Sequence, residues 1–104
     1  MKVLRYAVVA ALVSFGTALA ADTAIVQKDL TFSQSAVTIA AGDKVMWGSA
    51  DKVNHNIHIK GEGEDVDLGV QKPSEVISHV FTKKGEYTIQ CAIHPRMKMT
   101  VSVQ

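Results

Sequence analysis

The chain of 104 residues carries 11 Lys+Arg against 10 Asp+Glu, a net charge of +1, and a single cysteine. So even a balance excludes a basic phosphate-binding face, and with it nucleic acid as a partner. One cysteine excludes a disulfide within the chain.

The first element is "MKVLRYAVVAALVSFGTALA". Lys2 and Arg5 precede an apolar run over residues 6–15, and Ala18 and Ala20 close it in the A-x-A arrangement that signal peptidase accepts. This reads as a secretory signal peptide, residues 1–20, cut after Ala20. As an uncleaved membrane anchor the run is poor. Ser14, Gly16 and Thr17 interrupt it, and it falls short of the roughly 20 apolar residues a spanning helix needs. No cysteine follows it to accept a lipid. Residues 21–104 are then one domain in the periplasm, with net charge −1 once Lys2 and Arg5 are removed. A core this small often needs a staple, and where exported proteins use disulfides a metal can serve.

Beyond residue 20 the apolar positions alternate with period 2, and no helical period stands out. Val37 and Ile39 lead to the turn "AAGD"; Val45 and Trp47 follow, then Ile57 and Ile59, then Val66, Leu68 and Val70. Phe81 precedes the turn "TKKGE", after which Tyr87, Ile89 and Cys91 share one parity, and Val101 and Val103 end the chain. Short strands between Gly, Asp, Lys and Pro turns predict an all-β, antiparallel sandwich or barrel. Residues 71–79, "QKPSEVISH", have room for a helical turn.

The same parity aims chemistry inward. Cys91 continues the face of Tyr87 and Ile89, and His55 that of Ile57 and Ile59. With His94 and a nearby methionine they make a thiolate, two imidazoles and a thioether, the donor set of a blue-copper site. Zinc would recruit further Cys, His or carboxylates, and covalent haem needs a C-x-x-C-H that is absent.

"TIAAGDKVMW", "NHNIHI" and "FTKKGEYTIQCAIHPRM" together resemble the cupredoxins, most of all their amicyanin, plastocyanin and pseudoazurin branch, over nearly all of residues 21–104. The resemblance implies a Greek-key β-sandwich holding one type 1 copper and passing single electrons between larger redox partners, such as a cytochrome or a periplasmic dehydrogenase, as a monomer. It implies His55, Cys91 and His94 as the strong ligands, and Asn56 as the asparagine that ties the cysteine loop in place. Tyr87 falls where the family has a structural tyrosine. The axial sulfur is Met97, at the amicyanin spacing; Met99, at the pseudoazurin spacing, is the alternative. Two strand residues carry Met99 roughly 6–7 Å farther from the loop, so it reads as core filler. Ile93 stands where relatives often have proline. If its N–H points at the Cys91 sulfur it favours Cu(I), and Ile93→Pro lowers the reduction potential.

The remaining residues read more plainly. His58 faces outward, His79 lies in a loop, and Trp47 is core. Glu62, Glu64, Asp65 and Asp67 form a solvated hairpin turn, with a docking patch for a cationic partner as the rarer use. Three functions compete. The leading one is an electron carrier using His94 as the exit, with Ile93 and Pro95 as an apolar patch around it. The alternative is copper sequestration, delivery or tolerance, but that function usually brings Met- or His-rich tracts not seen here. Catalysis is the third. Copper oxidases and nitrite reductases place a histidine beside the cysteine, and here Gln90 and Ala92 hold those positions.

Overall fold

The structure, a computed structural model, describes residues 20–104. The export signal expected over residues 1–20 therefore lies, but for Ala20, outside the described residues. Among the described residues the regular elements are nine strands: β1 (Asp22–Lys28), β2 (Thr31–Phe32), β3 (Ala36–Ile39), β4 (Lys44–Ser49), β5 (His55–Gly61), β6 (Glu64–Gln71), β7 (Val76–Val80), β8 (Gly85–Gln90) and β9 (Lys98–Val103). No helix among them is long and apolar enough to cross a membrane.

The strands form two sheets, ordered β2-β1-β4-β7 and β3-β9-β8-β5-β6. Alternation turns one side of each strand into the space between the sheets. That space holds Ile25, Val45, Trp47, Ile57, Ile59, Phe81, Tyr87, Ile89 and Val101, all at most 1% exposed. Phe81 sits edge-on to both Trp47 and Tyr87, with ring centroids 6.5 and 5.1 Å away. The Tyr87 hydroxyl donates to the Lys83 carbonyl at 2.7 Å, fixing the turn that launches β8. Burial raises the pKa of that phenol, helped by the Glu64 and Glu62 charges. Tyr87→Phe keeps the ring and loses this bond, so it should cost about 1 kcal/mol in urea unfolding; an unchanged midpoint would show the turn holds without it.

Three sequence expectations need correction. Not every pairing is antiparallel: β1 runs parallel to β4, and β3 to β9. The chain visits the other sheet between each of these partners, so both enter from the same end, and period-2 alternation carries no information about strand direction. In β6 the alternation expected through Val66, Leu68 and Val70 breaks. Asn56 pairs with Val70 but His58 with Asp67, so Leu68 and Gly69 share the space opposite Ile57. This is a β-bulge, and Gly69 supplies the left-handed φ of 92° it requires. Beyond it the faces swap, leaving Val70 exposed and burying Gln71. Residues 72–75 form a turn, and His79 belongs to β7, its ring 4.9 Å from that of Phe81, rather than to a loop.

β5 begins, β8 ends and β9 begins at one end of the sandwich. The β1–β2 turn and the β4–β5 connection reach the same end, because β1 and β4 run in parallel register towards it. Glu62 and Gly63, which turn β5 into β6, lie at the other.

Candidate metal centre

Cys91 follows directly on β8 and keeps the inward side of Tyr87 and Ile89, β5 delivers His55 at its first position, and both side chains are fully buried. The loop of residues 91–97 brings His94 back over them. Two backbone bonds close this loop: the Cys91 N–H donates to the Met97 carbonyl at 3.2 Å and the Met97 N–H to the His94 carbonyl at 2.9 Å. The ligand atoms of His55, Cys91 and His94 all lie within 4.8 Å of one another, the only such His/Cys/carboxylate group among the described residues.

Both imidazoles face the thiol with Nδ1, at 3.9 Å for His55 and 3.6 Å for His94. For a trigonal centre with metal–nitrogen bonds of ~2.0 Å and a metal–sulfur bond of ~2.3 Å, nitrogen and sulfur would stand ~3.7 Å apart. The three donors therefore fit one metal ion with little rearrangement. A thiolate with two imidazoles is a soft set suited to copper.

The supports are as informative as the ligands. Asn56, next to His55 on β5, accepts the Ala92 N–H on Oδ1 at 2.7 Å and so ties the cysteine loop to the strand carrying the other buried ligand. Its Nδ2 donates to Asp67 Oδ1 at 2.6 Å, and that same oxygen accepts the Gly69 N–H at 2.8 Å. Asp67 is thus not a turn acid: it belongs to β6 and, though exposed, is aimed at Asn56 by the bulge. Glu64 and Asp65 also belong to β6, leaving Glu62 and Gly63 as the turn.

The second support is Asp51, which carries no motif signal. Its Oδ2 meets His55 Nε2 at 2.8 Å, which assigns the proton to that nitrogen and leaves Nδ1 free for a metal. The same carboxylate accepts the N–H groups of Asp29, at 2.6 Å, and Leu30, at 3.1 Å. Burial pushes the Asp51 pKa up, but the bonds from His55, Leu30 and Asp29 outweigh it and leave the pKa lowered.

The two methionines occupy different surroundings. Met99 belongs to the apolar core, and its Sδ takes the Trp47 Nε1–H at 3.5 Å. Met97 is equally buried but lies outside that cluster, beside His94 on the wall of a surface groove. Ile93 is half exposed on the same groove, and the recorded polar neighbours of the Cys91 sulfur are the two imidazoles. His58 contacts the Asp65 carboxylate, away from the ligands.

Residues 19–104 match the model of the copper binding proteins of the plastocyanin/azurin family. Among solved structures, a Cu(I) form of an amicyanin variant is similar with a TM-score of 0.74 at 21% identity, over 80% of this chain and 82% of that one. A purple cupredoxin from Nitrosopumilus maritimus gives 0.69 at 24%, over 80% and 100%. A copper-containing nitrite reductase from Thermus scotoductus gives 0.72 at 22%, but there the match spans only 22% of the longer chain. The family match and the convergence of one thiol with two imidazoles agree, and this chain belongs to the plastocyanin/azurin family of copper binding proteins, the cupredoxins.

Proposed function

We propose that this protein is exported to the periplasm and carries single electrons between redox proteins through one type 1 copper held by His55, Cys91 and His94, with Met97 as the axial sulfur. The observation that supports this most is the asymmetry of the two histidines. His55 is fully buried, whereas His94 is partly exposed and lines the groove. A buried ligand holds the ion and an exposed one offers an edge to a partner. Bound copper supplies one-electron chemistry between Cu(II) and Cu(I). The protein supplies a frame that changes little: the ligand loop is closed on itself and tied to β5 by Asn56, and His55 is held by Asp51.

Met97 is favoured as the axial ligand because it lies beside His94 while Met99 already serves Trp47 in the core. No histidine flanks Cys91 to wire it to a second copper, so we assign no catalysis. An absorption spectrum of the copper(II) protein tests the whole assignment: an intense visible thiolate-to-copper band is expected. A colourless protein whose Cys91 stays open to alkylation would end it. Stable copper through repeated redox cycles, against ready transfer to an apo-protein, separates a carrier from a copper-delivery protein.

Cleavage after Ala20 has a structural consequence. The Ala21 N–H donates to Asp43 Oδ1 at 2.9 Å, and Asp43 Oδ2 accepts the Ala40 N–H at 3.0 Å. These bonds, from Ala21 first, lower the Asp43 pKa against a smaller opposing push from burial. After cleavage the Ala21 nitrogen is an ammonium facing that carboxylate. A lowered carboxylate pKa contributes stability above the unfolded value, near 3.8, which is lost as pH falls through the lower folded value. A raised α-amino pKa contributes stability below its unfolded value of about 8, lost as pH rises through the folded one. A chain beginning at Ala21 should therefore lose stability above about pH 8, and its N-terminally acetylated form or Asp43→Asn should lack that alkaline loss. Identical alkaline profiles in thermal melts would show that an Ala21 ammonium is not held by Asp43.

A further inference from the structure

We infer that the free edge of β7 pairs with the same edge of a second copy of this chain, antiparallel and about a two-fold axis at Ser78, so that two sheets become one. The inference is independent of the carrier assignment, and it departs from the monomer that the family resemblance implies.

An edge strand leaves alternate backbone N–H and C=O groups without a ladder partner. β7 closes one side of its sheet and pairs with β4 alone. The Phe81 N–H donates to the Asp43 carbonyl at 2.9 Å. Ile77 and His79 share that parity, so they turn their backbone groups to β4, opposite Trp47 and Val45. Val76, Ser78 and Val80 turn theirs outward, and no other strand among the described residues meets them. The Val76 and Val80 side chains are 63% and 47% exposed on the outer face of the sheet.

The other edges are guarded. β6 carries Glu64, Asp65 and Asp67 and is bent by its bulge. β2 is two residues long. β3 has four, and the Ala40 N–H just beyond it is taken by Asp43 Oδ2. Charge, bulges and short strands are the devices that block contact between sheet edges. β7, "VISHV", has no charged residue, proline or bulge. Lys44, opposite Val80 on β4, is already turned to Asp22.

The strand is also its own complement. With the axis at Ser78, the two Ser78 residues face each other, and Val76 faces Val80 of the second copy. The outward residues then exchange two backbone bonds per pair, about six in all, and the valines meet in cross-strand contact. Glu75 precedes the strand while Lys83 and Lys84 follow it, so reversal sets acid towards base at both ends. Lys72 lies on the other arm of the turn, where it continues β6. Val76 is at the ligand end of β7 and Val80 at the other, so the two metal centres point apart and neither is covered. Edges of five residues bury less than the ~1,200–2,000 Å² of a stable complex. The dimer is therefore reversible, and concentration reveals it.

The 15N-labelled Cu(I) protein, followed from dilute to millimolar solution, tests this. Amides of Val76, Ser78 and Val80 should shift with concentration and exchange with solvent about 2–10-fold more slowly at the top of the range. Those of Ala36 and Thr38, on the β3 edge, should keep their rates. Ser78→Lys sets like charges face to face at the axis and should abolish the dependence, whereas Thr38→Lys, the same charge on the β3 edge, should leave it. Ser78→Pro is the second variant: it removes the axial donors, which the β4 ladder does not use, and should abolish the dependence as well. Amides indifferent to concentration up to millimolar protein overturn the inference. So does a dependence centred on residues 29–31 and 93–97, one that survives both Ser78 variants, or one that Thr38→Lys removes equally.

Discussion

Asn56→Leu is expected to make the protein release copper 10–100-fold faster to a chelator, the range typical when a ligand's supporting partner is lost, while the three ligands stay in place. The ligand loop is anchored to the rest of the fold through few bonds. Its two internal backbone bonds close the loop on itself, and the Asn56 Oδ1 to Ala92 N–H bond ties it to β5. Leucine has the branched shape and heavy-atom count of asparagine but is bulkier and has no acceptor. Ala92 is exposed enough for water to satisfy its N–H, so the loss in unfolding free energy should stay near 1–2 kcal/mol. The larger effect is on the ion, because Cys91 and His55 are then held at independent positions. Asp67→Ala is the companion. It leaves the Asn56 acceptor intact and removes the carboxylate that orients the amide at 2.6 Å, so release should quicken by less. Copper retention equal to the wild type in Asn56→Leu would show that the loop holds itself.

The strand content and the inward faces were legible because a two-sheet sandwich this small must bury alternate residues, and Trp47, Ile57, Ile59, Tyr87 and Ile89 repeat at that period. Cys91 and His94 were legible because they share a short loop. His55 followed from parity with Ile57 and Ile59. What failed has a common cause: alternation reports local backbone and is blind to what another strand does opposite it. The bulge at Leu68 and Gly69 depends on the register between β5 and β6, and with it went the roles of Asp67, Val70 and Gln71. Gln71 and Gln27 are both fully buried and hydrogen-bonded to each other between the sheets, whereas a polar residue near a strand end reads as solvent-facing. Asp51 was hidden for another reason. It lies in the connection "SADKVN", where an aspartate looks like turn chemistry, and its partners Asp29 and Leu30 are some twenty residues away. The family resemblance carried the ligands but not the device that aims one of them.

Asp51→Asn should raise the reduction potential, and the argument is one of charge. A carboxylate accepting the His55 Nε2–H makes the imidazole a better donor at Nδ1, which favours Cu(II) over Cu(I). The bond is charge-assisted, and such bonds exceed neutral ones by about 1 kcal/mol. If that difference falls on the oxidised state, it corresponds to about 40 mV for one electron. The amide can still accept the His55 proton on one oxygen, so the ring should keep its orientation and the visible spectrum its shape, while its NH2 faces the Asp29 N–H and that one turn bond is lost. Asp51→Ala separates charge from position. It leaves the fully buried His55 Nε2–H without this acceptor, at about 1–3 kcal/mol, and frees the left-handed turn at Asp29 and Leu30 whose N–H groups it held. It should therefore cost stability, alter the spectrum and disturb that turn together, where Asp51→Asn moves mainly the potential. Voltammetry at one neutral pH decides between them. A potential unmoved by Asp51→Asn would mean that the carboxylate only positions His55 and the turn, and that its charge does not reach the copper.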